Sequence, residues 1–445
     1  MSTHNATPAS AAPYMRALAR AKLPDWLDYQ VKIKPRRKTI GLVVEPRTVT
    51  IGLPPTNTPD DLIAAITRKL ALIEQAASAP GPATPGWLGW YDVIIIHTSG
   101  GKDSQTAVRR VLRILAAAGL LDRVAVLHLV LDKDPRTSSE DPRIEWQQVP
   151  ELAAEQAARA GIPLSAADGW ALWDAHRAGA QLTDRTQWAG LMHYARRDVD
   201  GDLLDDFATR RKRDRSPRSW ATKWTRYCTS DWKSAVGRTF TETICAQIRT
   251  EQELTRPTRV LQVMGFRAEE SDDRADRAPF SFSFRTSTTA SRHVWEWLPI
   301  HDMTKREVWA DIRDSGVPYH PAYGEGLSRL SCRLCIMGSK RDLAISKRMA
   351  PATAAAFEQV EAILDDPFQH NRPLASIPPA PGPHGFDVQW TTCPTCSVPV
   401  LANTRHPQMH CPAHAPAGPW LLLDTEPAPI AACQQGTLFD LTGVA

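Results

Sequence analysis

The sequence predicts an α/β protein organised around a parallel sheet with helices on both faces. Three observations carry this. Val93–Ile96, Val124–Leu131 and Val260–Met264 are unbroken apolar runs, as strands covered on both faces require. A helical pattern follows the first of them, with Ala107, Val108, Val111, Leu112 and Leu115 on one face of Gln105–Ala118. The alternation then repeats: Trp146–Ala160 is helical and closed by Gly161, and Ile162–Leu164 starts another short strand. Such a rhythm needs right-handed crossovers, and ligands then sit at the carboxyl ends of the strands.

The remaining elements follow in chain order. Residues 1–24 are rich in Ala, Pro and Ser and read as disordered. Residues 25–78 form a small N-terminal α+β module: Tyr29–Ile33 alternates, Lys38–Ile51 is rich in Thr, Val and Ile, and Thr58–Ala76 is a helix with an acidic first turn. The module faintly resembles the amino-terminal sheet of small zinc-metallopeptidase-like proteins, but the chain has no HExxH helix, so no activity follows. A linker, 79–89, leads into the principal domain, 90–350, and a helical extension, 351–370. A Pro-rich linker, 371–389, a small Cys/His unit, 390–417, and a tail, 418–445, complete the chain.

The chain has 445 residues, enough for two or three units, and its 42% hydrophobic content supports a buried core. No apolar run reaches membrane-spanning length, and MSTHNATPASAAPYM lacks the order of a signal peptide, which points to the cytoplasm. In that compartment eight cysteines favour metal binding or catalysis over disulfides. A formal charge of +4 does not mark a nucleic-acid binder by itself. Arg210–Arg215 with Arg218 is nevertheless a basic run that suits either a solvated loop or a nucleic-acid backbone.

The most informative stretch joins the first apolar run to the first helix: Ser99-Gly100-Gly101-Lys102-Asp103-Ser104. A strand, a glycine turn and a helix N-terminus make a phosphate cradle, because free backbone N–H groups and the positive helix end face the anion. Lys102 adds a mobile charge, and Ser99 and Ser104 add hydroxyls. The spacing is not that of a Walker loop. The string resembles the pyrophosphate loop of ATP pyrophosphatases and of phosphoadenosine phosphosulfate (PAPS) reductases.

Three further motifs strengthen that resemblance. Gly265-Phe266-Arg267-Ala268-Glu269-Glu270-Ser271-Asp272-Asp273-Arg274 is similar to the G-x-R-A-x-E-S-x-x-R element of the PAPS reductase superfamily. Its arginines suit polyanions, since guanidinium stays charged and binds phosphate oxygens bidentately. Arg226-Tyr227-Cys228 with Lys233, Pro299–Trp309 and Cys332-Arg333-Leu334-Cys335 follow the superfamily pattern in order, with Ala322–Gly326 and Arg329 ahead of the last. Over about residues 90–345 the chain is identified as a member of that superfamily, with an adenine nucleotide α-hydrolase-like fold.

The resemblance implies roles. Ser99, Gly100, Gly101, Lys102, Asp103 and Ser104 would hold the phosphates of ATP or PAPS, with Mg²⁺ neutralising the pyrophosphate. Lys102, Asp103 and Arg267 would be catalytic, Arg267 and Arg274 would hold the anionic end, and Glu270 and Ser271 would orient them. Asp132, at a strand end near the adenosine in relatives, would contact ribose or magnesium. In iron–sulfur members, cysteines at the places of Cys228, Cys332 and Cys335 ligate a [4Fe–4S] cluster. Adenylylsulfate reductases have a Cys-Cys pair where this chain has Cys228 alone, which leaves three ligands and the helix-embedded Cys245 as a fourth. Zinc at Cys332 and Cys335 is the alternative, the C-x-x-C spacing letting both thiolates face one ion.

One departure shifts the expected chemistry. Assimilatory PAPS reductases end in E-C-G-[IL]-H, and Cys433 lies in Ala432-Cys433-Gln434-Gln435 instead. The arrangement is more similar to sulfur-transfer proteins of DNA phosphorothioation and of tRNA thiolation. This implies ATP-dependent activation of a DNA or tRNA acceptor and a sulfur donor such as a cysteine desulfurase. A PAPS or adenylylsulfate reductase releasing sulfite is the first alternative. A non-catalytic adaptor bound to nucleotide and DNA or clamp is the second.

Two features lie outside this frame. Cys393, Cys396, Cys411 and His414 have zinc-ribbon spacing, with His406 and His410 as alternative ligands. Gln435–Phe439 has the form of a sliding-clamp peptide, or belongs to an unstructured tail. Trp220, Trp224, Trp232, Trp295, Trp297 and Trp309 suit a core better than a base-stacking surface.

Overall fold

The computed structural model describes residues 30–35, 41–45, 48–53, 78–134, 136, 143–146, 149–165, 168–214, 220–222, 225–283, 289, 291–381, 388–392 and 399–403. The chain divides into two units, Met1–Trp90 with Phe280–Trp295, and Tyr91–Pro279 with Glu296–Ala445. Near the N-terminus three strands, β1 (Gln30–Pro35), β2 (Gly41–Glu45) and β3 (Thr48–Leu53), are ordered β1-β3-β2, with β1 parallel and β2 antiparallel to β3. The helix expected at Thr58–Ala76 lies outside the described residues.

The expected α/β architecture is present. β4 (Val93–Thr98), β5 (Val124–Val130), β6 (Leu191–Arg196), β7 (Thr258–Val263), β8 (Phe280–Phe282) and β9 (Arg292–Trp297) form a sheet of order β6-β5-β4-β7-β9-β8. β4 is parallel to both neighbours, and β5 is parallel to β6. Val93 to Ile96 and Val124 to Leu127 are fully buried, which explains their unbroken apolar character. Each such side chain contributes roughly 1.5–3 kcal/mol by leaving water.

Helices pack around the sheet. α1 (Lys102–Ala117) buries Ala107, Val108, Val111, Leu112 and Leu115, the face read from the sequence. It starts at Lys102, directly after the glycines, rather than at Gln105. α2 (Val149–Arg159) starts three residues later than Trp146. α3 (Ala171–Arg177), α4 (Leu203–Asp214), α5 (Ala235–Glu251), α6 (Lys305–Ser315), α7 (Lys340–Met349) and α8 (Pro351–Leu364) follow. The strand expected at Ile162–Leu164 reduces to a bridge between Leu164 and Met192, because β6 takes the place beside β5. β6 escaped the sequence pattern because it buries His193 and Arg196 within its run.

A second aromatic core lies under the carboxy-terminal half. Trp220 stacks on Phe357 with ring centroids 5.7 Å apart, meets Phe207 and Phe368 edge-on or tilted, and donates its indole N–H to the Asp366 carbonyl at 2.8 Å. Trp232 and Leu334 belong to the same cluster, and Cys228 and Cys332 pack against it. Leu374 and Ile377, within the segment read as a Pro-rich linker, are buried in it as well. Trp295, Trp297 and Trp309 are also buried, while Trp224 lies outside the described residues. β10 (Val388–Thr392) and β11 (Pro399–Asn403) pair antiparallel. Cys393, Cys396, Cys411, His414 and Gln435–Phe439 lie outside the described residues. No described helix is long and apolar enough to cross a membrane.

Candidate functional site

The glycine loop is tied together from within. Gly100 takes φ +67, which an L side chain resists, and an added Cβ would approach Val149 to 3.1 Å. The Thr98 hydroxyl accepts from Gly100 N–H at 3.3 Å. Ser104 Oγ accepts from Ser99 N–H at 3.1 Å and donates to the Gly101 carbonyl at 2.9 Å, while the Ser99 and Ser104 hydroxyls lie 3.1 Å apart. At the start of α1, the amides of Gly101, Asp103 and Ser104 donate to no acceptor among the described residues. Unpaired amides at a helix N-terminus are an anion site by construction.

Two cations meet on one carboxylate beside these amides. Lys102 Nζ lies 2.7 Å from Asp103 Oδ2, and Arg267 Nε lies 2.6 Å from Asp103 Oδ1. Lys102 is 3% and Arg267 4% exposed, so neither charge is answered by water. Burial alone would weaken Arg267's hold on its proton, and the Asp103, Glu269 and Glu270 carboxylates outweigh it, leaving it raised. The two segments meet because Gly265 has no side chain: a Cβ there would come within 2.7 Å of the Asp103 carbonyl oxygen.

Glu270 joins the two arginines of the second motif. It accepts from Arg267 N–H at 3.0 Å and pairs with the Arg274 guanidinium. Ser271 is exposed and contributes its carbonyl to Arg274 N–H at 2.8 Å. Arg274 and Arg277 lie 4.4 and 5.2 Å from the Phe266 ring centroid. Glu269 pairs with Arg267 at 2.6 Å and accepts from Lys305 N–H at 2.5 Å. The T-x-x-E of Pro299–Trp309 is a capping box: Thr304 accepts from Glu307 N–H at 3.2 Å and Glu307 accepts from Thr304 N–H at 2.7 Å.

Three cysteines and Lys233 act on one another through charge. Cys228 lies in the short turn Tyr227–Thr229, and Lys233 in the π-helical turn Ser230–Ser234 that precedes α5. Burial disfavours a charge on Lys233, but the facing Cys332, Glu145, Cys335 and Cys228 raise its proton affinity. Burial also pushes the Cys332 and Cys228 thiols up, with Lys233 pulling both down. Arg333 donates its amide to the Ile144 carbonyl at 2.8 Å, which pins the cysteine turn beside Asp132. Cys245 is buried within α5. Three thiols lie within electrostatic reach of one ammonium, but no three His, Cys, Asp or Glu side chains converge as metal ligands among the described residues.

Asp132 ends up inside a polar chain that the sequence did not reveal. It accepts from the Ile144 amide and from Glu145 N–H at 3.2 Å. Burial, and then the charge of Glu145, push its carboxyl up to about 7. His128 Nε2 lies 3.5 Å from Glu145, and His128 Nδ1 lies 3.2 Å from the Thr98 carbonyl at the end of β4. Glu145 therefore stands between the phosphate loop and the cysteine turn.

Residues 211–337 match the phosphoadenosine phosphosulfate reductase domain. The matched domain takes in Cys228, the Gly265–Arg274 element, Pro299–Trp309 and the Cys332–Cys335 turn, and the glycine loop precedes it. No curated protein matches the chain in sequence. Among solved structures, the FMN adenylyltransferase of Candida glabrata, in complex with FAD and inorganic pyrophosphate, is similar at 12% identity and a TM-score of 0.28. That match covers 61% of this chain and 64% of that one, so the chain spans somewhat under two thirds of its length.

Proposed function

We propose that the protein is an adenine-nucleotide-dependent sulfur-transfer enzyme. The observation that carries this is the anion-ready helix terminus with Lys102 and Arg267 buried on Asp103, in a chain that also brings the charge of Lys233 to bear on three thiols. The reductase-domain match supports nucleotide use by this site. ATP phosphates enter at the Gly101, Asp103 and Ser104 amides, and Lys102 and Arg267 transfer from Asp103 to the phosphate oxygens. Mg²⁺ arrives with the nucleotide as part of the substrate. The acceptor oxygen attacks the α-phosphorus, the bond to the bridging oxygen breaks, and pyrophosphate leaves with its charge held by both cations. Hydrosulfide then attacks the acceptor atom that bears the adenylated oxygen, the bond to that oxygen breaks, and AMP leaves carrying it; the acceptor we take to be a nucleic acid.

The donor set of Cys228, Cys332 and Cys335 would hold an iron–sulfur cluster, which when bound would supply an iron open to sulfur; zinc is the alternative. Lys233 stabilises negative charge at these sulfurs whichever group they carry. Asp132 would contact the ribose or magnesium, and Arg274 and Glu270 steady Arg267. Zinc in the carboxy-terminal unit, and a clamp contact through Gln435–Phe439, would serve delivery to the acceptor.

Pyrophosphate release from ATP should fall at least about 100-fold in Lys102→Ala and in Asp103→Ala, as loss of a preorganised charge partner does. Unchanged turnover in both variants would overturn the proposal. The domain match also favours a second reading, a sulfonucleotide reductase. Sulfite formation from PAPS, lost in Cys433→Ser, would establish that instead.

A further inference from the structure

Tyr323 lies in the turn Pro321–Tyr323, is 4% exposed, and belongs to the stretch Ala322–Gly326 ahead of the cysteines. Its phenolic oxygen accepts two amides from distant parts of the chain: Lys102 N–H at 3.0 Å, the first residue of α1, and Leu330 N–H at 3.2 Å, two residues before Cys332. Gly101 is pressed against the same pair, since an added Cβ would lie 3.3 Å from the Tyr323 oxygen and 3.4 Å from Leu330 Cβ. The ring cannot drift, for it packs edge-on against Trp309 at 5.1 Å within the cluster that also holds Val308, Ile312 and Tyr319.

The protonation state is settled by the surroundings. Burial, and then the charge of Asp103, raise the phenol far above its ordinary range, so it keeps its proton. Both amide bonds use the oxygen as acceptor, and among the described residues no acceptor takes that proton. A hydroxyl with a spare proton thus lies beside amides that have no acceptor.

We propose that Tyr323 is a positioning residue that joins the phosphate loop to the cysteine turn. This rests on the reading of the loop as a nucleotide-phosphate site. The oxygen caps Lys102 N–H and Leu330 N–H together. An anion entering the loop takes the Lys102 amide and receives the phenolic proton as a hydrogen bond. The Leu330 amide stays on the same oxygen, so the segment leading to Cys332 is drawn to the filled loop. Occupancy by phosphate and the placement of the thiols become one event.

The test is hydrogen exchange with mass spectrometry on the whole 445-residue chain as purified, with and without inorganic pyrophosphate, in wild type and Tyr323→Phe. Phenylalanine keeps the ring packing and removes only the hydroxyl. In wild type, pyrophosphate should slow exchange in the peptide holding Leu330 as well as in the loop peptide. In Tyr323→Phe, the Leu330 peptide should exchange about fivefold faster, one hydrogen bond's worth, and should no longer respond to pyrophosphate although the loop still does. A general loosening would speed exchange without abolishing the response, so the lost response is the deciding readout. If the Leu330 peptide of Tyr323→Phe responds as in wild type, or wild type binds pyrophosphate without that response, the connector role fails. If wild type does not bind pyrophosphate, the nucleotide-site reading fails and takes the connector with it.

Discussion

The phosphate loop and the cysteine turn solve the same problem, how to keep reactive polar groups inside a protein, by different means. In the loop, short hydrogen bonds do it. The Thr98, Ser99 and Ser104 hydroxyls are tied to loop atoms, and Lys102 and Arg267 share the Asp103 carboxylate. At the cysteine turn, longer-range charge does it, with one lysine answering three thiols and Glu145. The difference teaches that the loop is organised in advance for an incoming anion, whereas the thiols are tuned by a field that a single charge change can reset.

The comparison breaks most readily at Asp103. Asp103→Ala leaves Lys102 without its carboxylate and takes one of two from Arg267, both buried. An expected loss of about 3–5 kcal/mol of stability follows from stranding buried charge. Pyrophosphate should restore more stability to this variant than it adds to wild type, as thermal unfolding with the anion would show. A loss below about 1 kcal/mol would mean that water already answers these cations.

Next in size is a pH effect at Asp132, where the two regions meet. The folded carboxyl keeps its proton up to about 7, against 3.8 for an ordinary one. Between those values the folded state binds the extra proton, so stability is fully present at low pH and falls as pH rises through this window. Asp132→Asn should flatten that slope, by on the order of 4 kcal/mol across the window. Urea unfolding at several pH values measures it, and a variant with the wild-type slope would remove Asp132 from the account. Gly265→Ala comes third. Its Cβ would lie 2.7 Å from backbone that cannot give way, an overpacking cost of roughly 1–3 kcal/mol. Pyrophosphate binding should weaken with it while thiol alkylation stays unchanged.

How much of this was legible depends on the length scale of the interaction. The central strands and α1 were readable because burial on both faces leaves apolar runs, and the glycine loop because its geometry is local. Cys332 and Cys335 showed their spacing for the same reason. Glu145 and Tyr323 were not readable as site residues, because Tyr323 Oη reaches Lys102 across 221 positions and Glu145 acts through charge on Lys233. β6 was hidden by its buried His193 and Arg196, whose polarity cancels the strand signal. The T-x-x-E at Thr304 was in plain view as a helix start, but was read as part of a family pattern rather than as a cap.

That cap supplies the smallest and sharpest test. Thr304→Ala removes one half of the capping box and should cost about 1 kcal/mol of stability. The first turn of α6 is also where Lys305 N–H holds Glu269, and Glu269 in turn holds Arg267. Fraying there reaches the loop through three links, the last being Arg267 on Asp103, and does not reach Lys233, on which the thiols and Glu145 act. Pyrophosphate affinity should therefore drop by less than the stability loss alone would suggest, and the alkylation rates of Cys228, Cys332 and Cys335 should not move. If the thiol rates change while pyrophosphate binding holds, the two regions are organised the other way round: the loop stands alone, and the cysteine turn depends on the hydrogen bonds of its neighbours.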